Sequence, residues 1–256
     1  MLTVRPIPAY DDNYIWLITR DGTDKAFVVD PGDPAPVLQR LEAEKLTLSG
    51  ILVTHHHFDH VGGLGPLRDA YGPVVYGPDN PAIDGLDRIV HAGDCVDVLG
   101  ESFEVLQVPG HTLDHIAYFG PAAAQLFCGD TLFAGGCGRL FEGTPAMMHG
   151  SLASLAALPA ATRVYCAHEY TLANLAFARA VEPDNVALAE RAIAAQATRE
   201  AGEPTVPSTL AMELSTNPFL RCSEPGLLAS MKAQGKLDGE TPIEVFAAVR
   251  QWKDSF

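Results

Sequence analysis

Between positions 55 and 60 the chain carries His55-His56-His57-Phe58-Asp59-His60, four histidines and an aspartate directly after the apolar run Ile51-Leu52-Val53. Imidazoles crowded this closely repel one another once protonated and bring little apolar area to a core. A tandem H-x-H-x-D-H therefore has almost no packing rationale, whereas its nitrogen and oxygen donors suit a divalent metal. Further donors must then come from elsewhere in the chain. Three segments share one grammar, an apolar run, a small residue and then a donor. "FEVLQVPGHT" delivers His111, "AQLFCGDT" delivers Asp130 and "RVYCAHEY" delivers His168. Taken singly, each would read as an ordinary histidine or a turn aspartate. Beside the cluster they read as ligands at strand ends, converging on one rim of a sheet structure. The candidate set is His55, His57, Asp59, His60, His111, Asp130 and His168. Seven donors exceed the three or four protein ligands of a single open catalytic zinc, and they suit two ions with one carboxylate between them. The nitrogen and oxygen donors suit zinc, iron, manganese or mixtures of them, without choosing among these. In H-x-H geometry the His56 side chain points away from the ions. It stays outside the set, as do His91, His115 and His149, which lack the strand-end position.

Short β-like runs fill the first two-thirds of the chain. "TVRPI", "YIWLIT" and "KAFVVD" are bounded by turn signals such as Asp21-Gly22 and Pro31-Gly32. A helix is predicted over 34–46, leading into "GILVT", and another over 61–70 before "GPVVYG". Strands follow at "CVDVL", "FEVLQV", "HIAYFG" and "AQLFCG", with a helix over 145–158 before "RVYCA". Strand runs with intermittent helices predict an α+β architecture of sheet layers covered by helices. After about residue 170 the chain turns Ala-rich with helical spacing, and Pro183-Asp184 marks a helix restart. An all-helical C-terminal segment ending in "TPIEVFAAVRQWKD" is expected.

Charge narrows the partners. With 17 basic against 32 acidic residues the net charge is −15, which repels phosphate backbones and argues against nucleic acid. The N-terminal residues carry no signal-peptide pattern, and no run is long and apolar enough to span a membrane. Five scattered cysteines without a C-x-x-C pair read as reduced thiols. Cys128 and Cys166 read as core residues on strands. A cytoplasmic monomer without a membrane partner is expected.

Thr54-His55-His56-His57-Phe58-Asp59-His60 matches the T-H-x-H-x-D-H signature of the metallo-β-lactamase superfamily, and Gly110-His111, Gly129-Asp130 and Ala167-His168 follow in the order of that pattern. The resemblance implies an αββα sandwich with a binuclear centre at one edge. A finer resemblance, to glyoxalase II (hydroxyacylglutathione hydrolase), rests on "DDNYIWLI", "CGDTLFAGGCGRLFEGT", "CAHEYTLANLAFA", "NPFLR" and "RQWKD". It implies a catalytic domain over 1–169 and a helical glutathione-binding domain over 170–256. It also implies one ion on His55, His57 and His111, a second on Asp59, His60 and His168, and Asp130 and a hydroxide between them. Asp59 would aim the attacking water. The implied reaction is hydrolysis of S-D-lactoylglutathione to D-lactate and glutathione, the second step of methylglyoxal detoxification. Glutathione contacts of the family map onto Arg139, Phe141, Tyr170, Arg250 and Lys253. Arg139 stands where a lysine is common, Phe141 where a tyrosine is common and Asp114 where a glycine is usual. Arg250 and Lys253, three apart on the last predicted helix, share a face. Rival readings on the same fold are a lactonase and a mononuclear-iron persulfide dioxygenase. A metal-binding or redox-partner module without hydrolytic activity is the reading of another class.

Overall fold

Turn residues divide the strands where the sequence places them. The computed structural model describes residues 1–237 and 239–256, which form two compact units: Met1–Gln107 with Asp114–Gly129, and Val108–Leu113 with Asp130–Phe256. In the first unit, β1 (Leu2–Ala9) and β2 (Asn13–Arg20) pair antiparallel, and β3 (Lys25–Val29) continues the sheet. Helix α1 (Pro34–Glu44) starts at Asp33, whose side chain accepts from Ala35 N, and ends on Lys45 in the left-handed conformation. It crosses to β4 (Thr47–Leu52), parallel to β3. Two short helices, α2 (Phe58–Val61) and α3 (Leu64–Tyr71), lead to β5 (Val74–Gly77) and β6 (Arg88–Ile89). The six strands lie in sequence order. Leu17, Val28 and Ile51 of this sheet pack with Val37 and Leu41 of α1 and Leu64 and Leu67 of α3.

The helix predicted over 61–70 is α3, starting three residues later, and Val61 belongs to the separate α2. Gly62 and Gly63 separate them, because a Cβ on Gly63 would lie 2.3 Å from the Pro31 carbonyl oxygen. Close backbone approach, invisible to hydrophobic periodicity, breaks the helix there.

The same unit holds an antiparallel array of β7 (Cys95–Val98), β8 (Glu101–Gln107), β9 (Ile116–Gly120) and β10 (Gln125–Gly129). Burial alternates along β8 and is complete along β9 and β10, as expected of strands with one or both faces covered. Tyr118 Oη donates to Val53 O at 2.9 Å and Ile116 N donates to Thr54 O at 2.9 Å, which ties this array to the segment after β4.

The second unit contains a small hairpin of β11 (Leu132–Phe133) and β12 (Gly136–Cys137), then α4 (Pro145–Ala156) and β13 (Arg163–Cys166). Helix α5 (Thr171–Val181) precedes α6 (Val186–Glu200). Asn185 caps α6, one residue beyond the restart read from Pro183-Asp184. β14 (Ser208–Thr209) pairs with β13 and runs into α7 (Leu210–Thr216) and a 3-10 turn, Pro218–Leu220. Helices α8 (Pro225–Ala233) and α9 (Pro242–Asp254) follow, the latter opened by a Thr241–Glu244 capping box. Leu175 and Ala178 of α5 pack on Leu188 and Ala195 of α6, and Phe177, Phe219, Phe246 and Trp252 form an aromatic group. Among the described residues, no helix is long and apolar enough to cross a membrane. All five cysteines are free, Cys95 exposed and the rest buried.

Candidate functional site

Four of the predicted donors stand in the first unit, on the loop between β4 and α2 and on α2 itself. His55 Nε2 lies 3.1 Å from His57 Nδ1. Two nitrogens bound to one tetrahedral zinc stand about 3.3 Å apart, so this spacing suits a shared ion. His60 Nδ1 lies 3.0 Å from Asp30 Oδ2, a charge-pair contact that assigns no proton to either ring nitrogen. Its Nε2 lies 3.4 Å from Asp59 Oδ2. Asp59 is itself held by Asn13 Nδ2, 3.0 Å away.

Asp30 was not legible as a site residue, since its "VVDPGD" setting reads as a strand end and turn. The structure shows a buried carboxylate that also accepts from Thr54 N at 2.8 Å and Thr54 Oγ1 at 2.7 Å. Thr54 Oγ1 thereby uses its one hydrogen, so towards His55 Nδ1, at 3.1 Å, it is an acceptor. One aspartate thus orients His55 through Thr54 and places its charge beside His60, the outer-shell arrangement typical of metal sites. His115, also outside the predicted set, is fully buried and stacks on His55 at 4.5 Å. His56 does point elsewhere: its Nδ1 pairs with Asp114 Oδ1 at 2.9 Å, and Asn80 Nδ2 donates to the other Asp114 oxygen. That network gives Asp114 two side-chain partners.

The second unit brings the other three donors together. Asp130, almost fully buried, presents Oδ2 to His111 Nε2 at 3.5 Å and Oδ1 to His168 Nε2 at 3.3 Å. Each oxygen serves a different imidazole, as a bridging carboxylate does. His111 Nδ1 donates to the Arg139 carbonyl at 2.8 Å, which in the neutral ring leaves the lone pair on Nε2. The donor chemistry of both sets fits divalent ions.

The predicted substrate residues all lie in this second unit. Arg139 and Phe141 are largely exposed, the guanidinium 5.9 Å from the ring centroid, and Phe141 stands edge-on to His111 at 5.2 Å. Tyr170 stacks on His168 at 4.8 Å with 4° between the planes. Arg250 is buried, its guanidinium donating to Cys137 O at 3.1 Å and Asp254 Oδ1 at 2.9 Å. Asp254, which sequence reasoning did not single out, also approaches Arg139 Nε at 3.9 Å. Lys253 Nζ donates to Ala173 O at 3.3 Å and lies over the Phe177 ring, and burial with the neighbouring Arg250 charge lowers its pKa.

Residues 10–168 match the family model of the metallo-β-lactamase superfamily, and residues 169–256 match that of the hydroxyacylglutathione hydrolase C-terminus. Hydroxyacylglutathione hydrolases of Chromohalobacter salexigens and Pseudomonas aeruginosa are each 55% identical to the chain, covering all of both sequences. Among solved structures, ETHE1 from Myxococcus xanthus superposes with a TM-score of 0.67 at 26% identity, covering 99% of each chain. The B3 metallo-β-lactamase BLEG-1, at 24% identity, shares the fold with a TM-score of 0.64 over 86% of this chain and 99% of its own. Fold and donor pattern together define a metallo-β-lactamase-type protein with a place for divalent metal. Within that class, the chain belongs to the hydroxyacylglutathione hydrolase family.

Proposed function

We propose that the chain hydrolyses S-D-lactoylglutathione to D-lactate and glutathione, using two divalent ions, zinc before iron or manganese. Residues 1–169 would carry the catalysis and the helical residues 170–256 the glutathione grip. The observation that carries the reading is the full-length likeness, at 55% identity, to hydroxyacylglutathione hydrolases. His55, His57 and His111 would hold one ion, and Asp59, His60 and His168 the other, with Asp130 shared. When bound, the ions supply a water acidified to a pKa of about 7 and a Lewis acid for the carbonyl oxygen.

The remaining work falls to side chains. Asp59, held by Asn13, would accept a hydrogen bond from the attacking water and keep its lone pair on the thioester carbonyl. The thiolate of glutathione leaves readily, so no strong general acid is required at the sulfur. Arg139, exposed despite its contact with Asp254, offers a planar fork to a glutathione carboxylate. Phe141 and Tyr170 offer ring faces beside it, and Lys253 a second cation, while Arg250 holds Asp254 in place from behind. Phe141 has no hydroxyl where relatives commonly have tyrosine, which removes one hydrogen bond to the peptide, about 0.5–1.5 kcal/mol of grip.

The test is to incubate metal-analysed protein with S-D-lactoylglutathione and follow loss of thioester absorbance, with Asp59→Ala beside it. The expected result is rapid hydrolysis at close to two ions per chain and a fall of about 100-fold or more in kcat for the variant. A filled site that leaves the thioester intact would sink the reading.

A further inference from the structure

Between Asp130 and Arg139 the chain makes the β11–β12 hairpin, whose tip is Ala134-Gly135. A two-stranded hairpin of this size has no stability of its own. Its backbone is held from outside by polar side chains of the helical region, all in the second unit. Gly135 N donates to Glu213 Oε2 at 2.8 Å. Asn217 Nδ2 donates to Phe133 O at 3.2 Å, Gly136 O at 2.9 Å and Glu213 Oε2 at 3.1 Å. Asn174 Nδ2 donates to Ala134 O at 3.2 Å. Arg191 closes the group, giving one nitrogen to Glu213 Oε1 at 2.5 Å and another to Thr216 Oγ1 at 2.6 Å. Glu213 and Asn217 are completely buried, and Asn174 and Arg191 nearly so. The loop fits the clamp closely, since a Cβ on Gly136 would lie 2.6 Å from the Asn174 amide.

A buried ion pair with this many hydrogen bonds is weak evidence of stabilisation, because desolvating the charges offsets the attraction. What it does supply is a fixed position. The two ends of the hairpin carry parts of the metal centre: Asp130 precedes one strand, and the Arg139 carbonyl that orients His111 follows the other. Gly138 N joins the ends by donating to Thr131 O at 3.2 Å. Displacing the hairpin would move the shared carboxylate and free the His111 ring to rotate.

We infer that Glu213, Asn217 and Asn174 are positioning residues for the metal centre, so that the helical region sets metal affinity as well as the grip on the thiol carrier. This rests on the metal-dependent reading above, and zinc affinity is measurable without turnover. Asn217→Asp keeps the shape and the Oδ1 cap on Phe219 N but points oxygen at two carbonyls and a carboxylate. Asn174→Ala removes a single bond to the hairpin. Glu182→Gln serves as the control, since Glu182 pairs with Arg221 and makes no contact with the hairpin.

Zinc affinity from competition with a chromophoric chelator, melting temperature, kcat and KM are measured on all four proteins. The expected result for Asn217→Asp is zinc bound about tenfold more weakly, with kcat reduced and KM within twofold of wild type. Asn174→Ala should show a smaller shift in the same sense. Glu182→Gln should melt lower with unchanged zinc affinity. Variants that melt lower but bind zinc like the wild type would overturn the inference, and if Asn217→Asp does not fold, Asn174→Ala decides it alone. A wild type that binds no zinc overturns both this and the functional reading. If the wild type binds zinc but spares the thioester, only the substrate assignment fails, and the affinity shift still decides the clamp.

Discussion

Asp30 occupies the left-handed region, φ 52°, and its buried carboxylate accepts from two donors of Thr54 and lies 3.0 Å from His60 Nδ1. Asparagine tolerates that backbone conformation nearly as well as aspartate, so Asp30→Asn changes the charge while keeping the turn. The amide cannot match a carboxylate in polarising the His60 ring. Zinc affinity in chelator competition should therefore fall about 10- to 100-fold while the far-UV circular dichroism spectrum stays that of the wild type. An unchanged affinity would remove Asp30 from the metal centre. The seven candidate donors stood out in the sequence because a clustered H-x-H-x-D-H has little packing rationale, and the same strand-end grammar then singles out His111, Asp130 and His168. Asp30 was hidden because it follows "FVV" and precedes Pro-Gly, where an aspartate is an ordinary turn residue. The His56–Asp114 pair was hidden for another reason, since its partners stand 58 positions apart and no spacing in the sequence joins them.

At the scale of the element, strand and helix positions followed the residue patterns closely, and the errors fall where backbones meet. The break between α2 and α3 is one such place, and Gly32 is another. A Cβ built on Gly32 would sit 1.9 Å from the Asp59 carbonyl oxygen, so the turn after β3 and the start of α2 share space that only a hydrogen can fill. Gly32→Ala should lower stability by about 1–3 kcal/mol through forced backbone displacement. In thermal melts that is a fall of several degrees. Because the displaced residue is Asp59, kcat should fall further than the loss of folded protein accounts for, and a variant with full specific activity would contradict this. The two-residue strands β11 and β12 were illegible. Their place is set by Asn174, Glu213 and Asn217, none of which is near them in sequence.

For the whole molecule, the change to helix near residue 170 was plain in composition, and α5 begins at Thr171. The compact units divide the chain by contact instead, assigning 108–113 and everything after 129 to one body. Sequence patterns record periodicity and cannot register that return of a short segment. Burial governs how the molecule responds to alkali. It pushes the Cys137 thiol up to about 11 and those of Cys166 and Cys222 up to about 12, and the Tyr118 phenol well above its ordinary value. In the unfolded chain the same thiols ionise near their ordinary value of 9. The folded form thus holds these protons more tightly, and the stability it gains is intact below pH 9 and lost as pH rises towards 11–12. The melting temperature should fall steeply across that window, and a flat profile would contradict the burial of these groups.

Cys95 differs from the other four thiols: it is exposed, on β7, the last strand of its sheet. A maleimide dye or a surface linker applied to the native protein at neutral pH will therefore attach at a single address. The chain can be tethered or tagged there without first stripping it of its other cysteines.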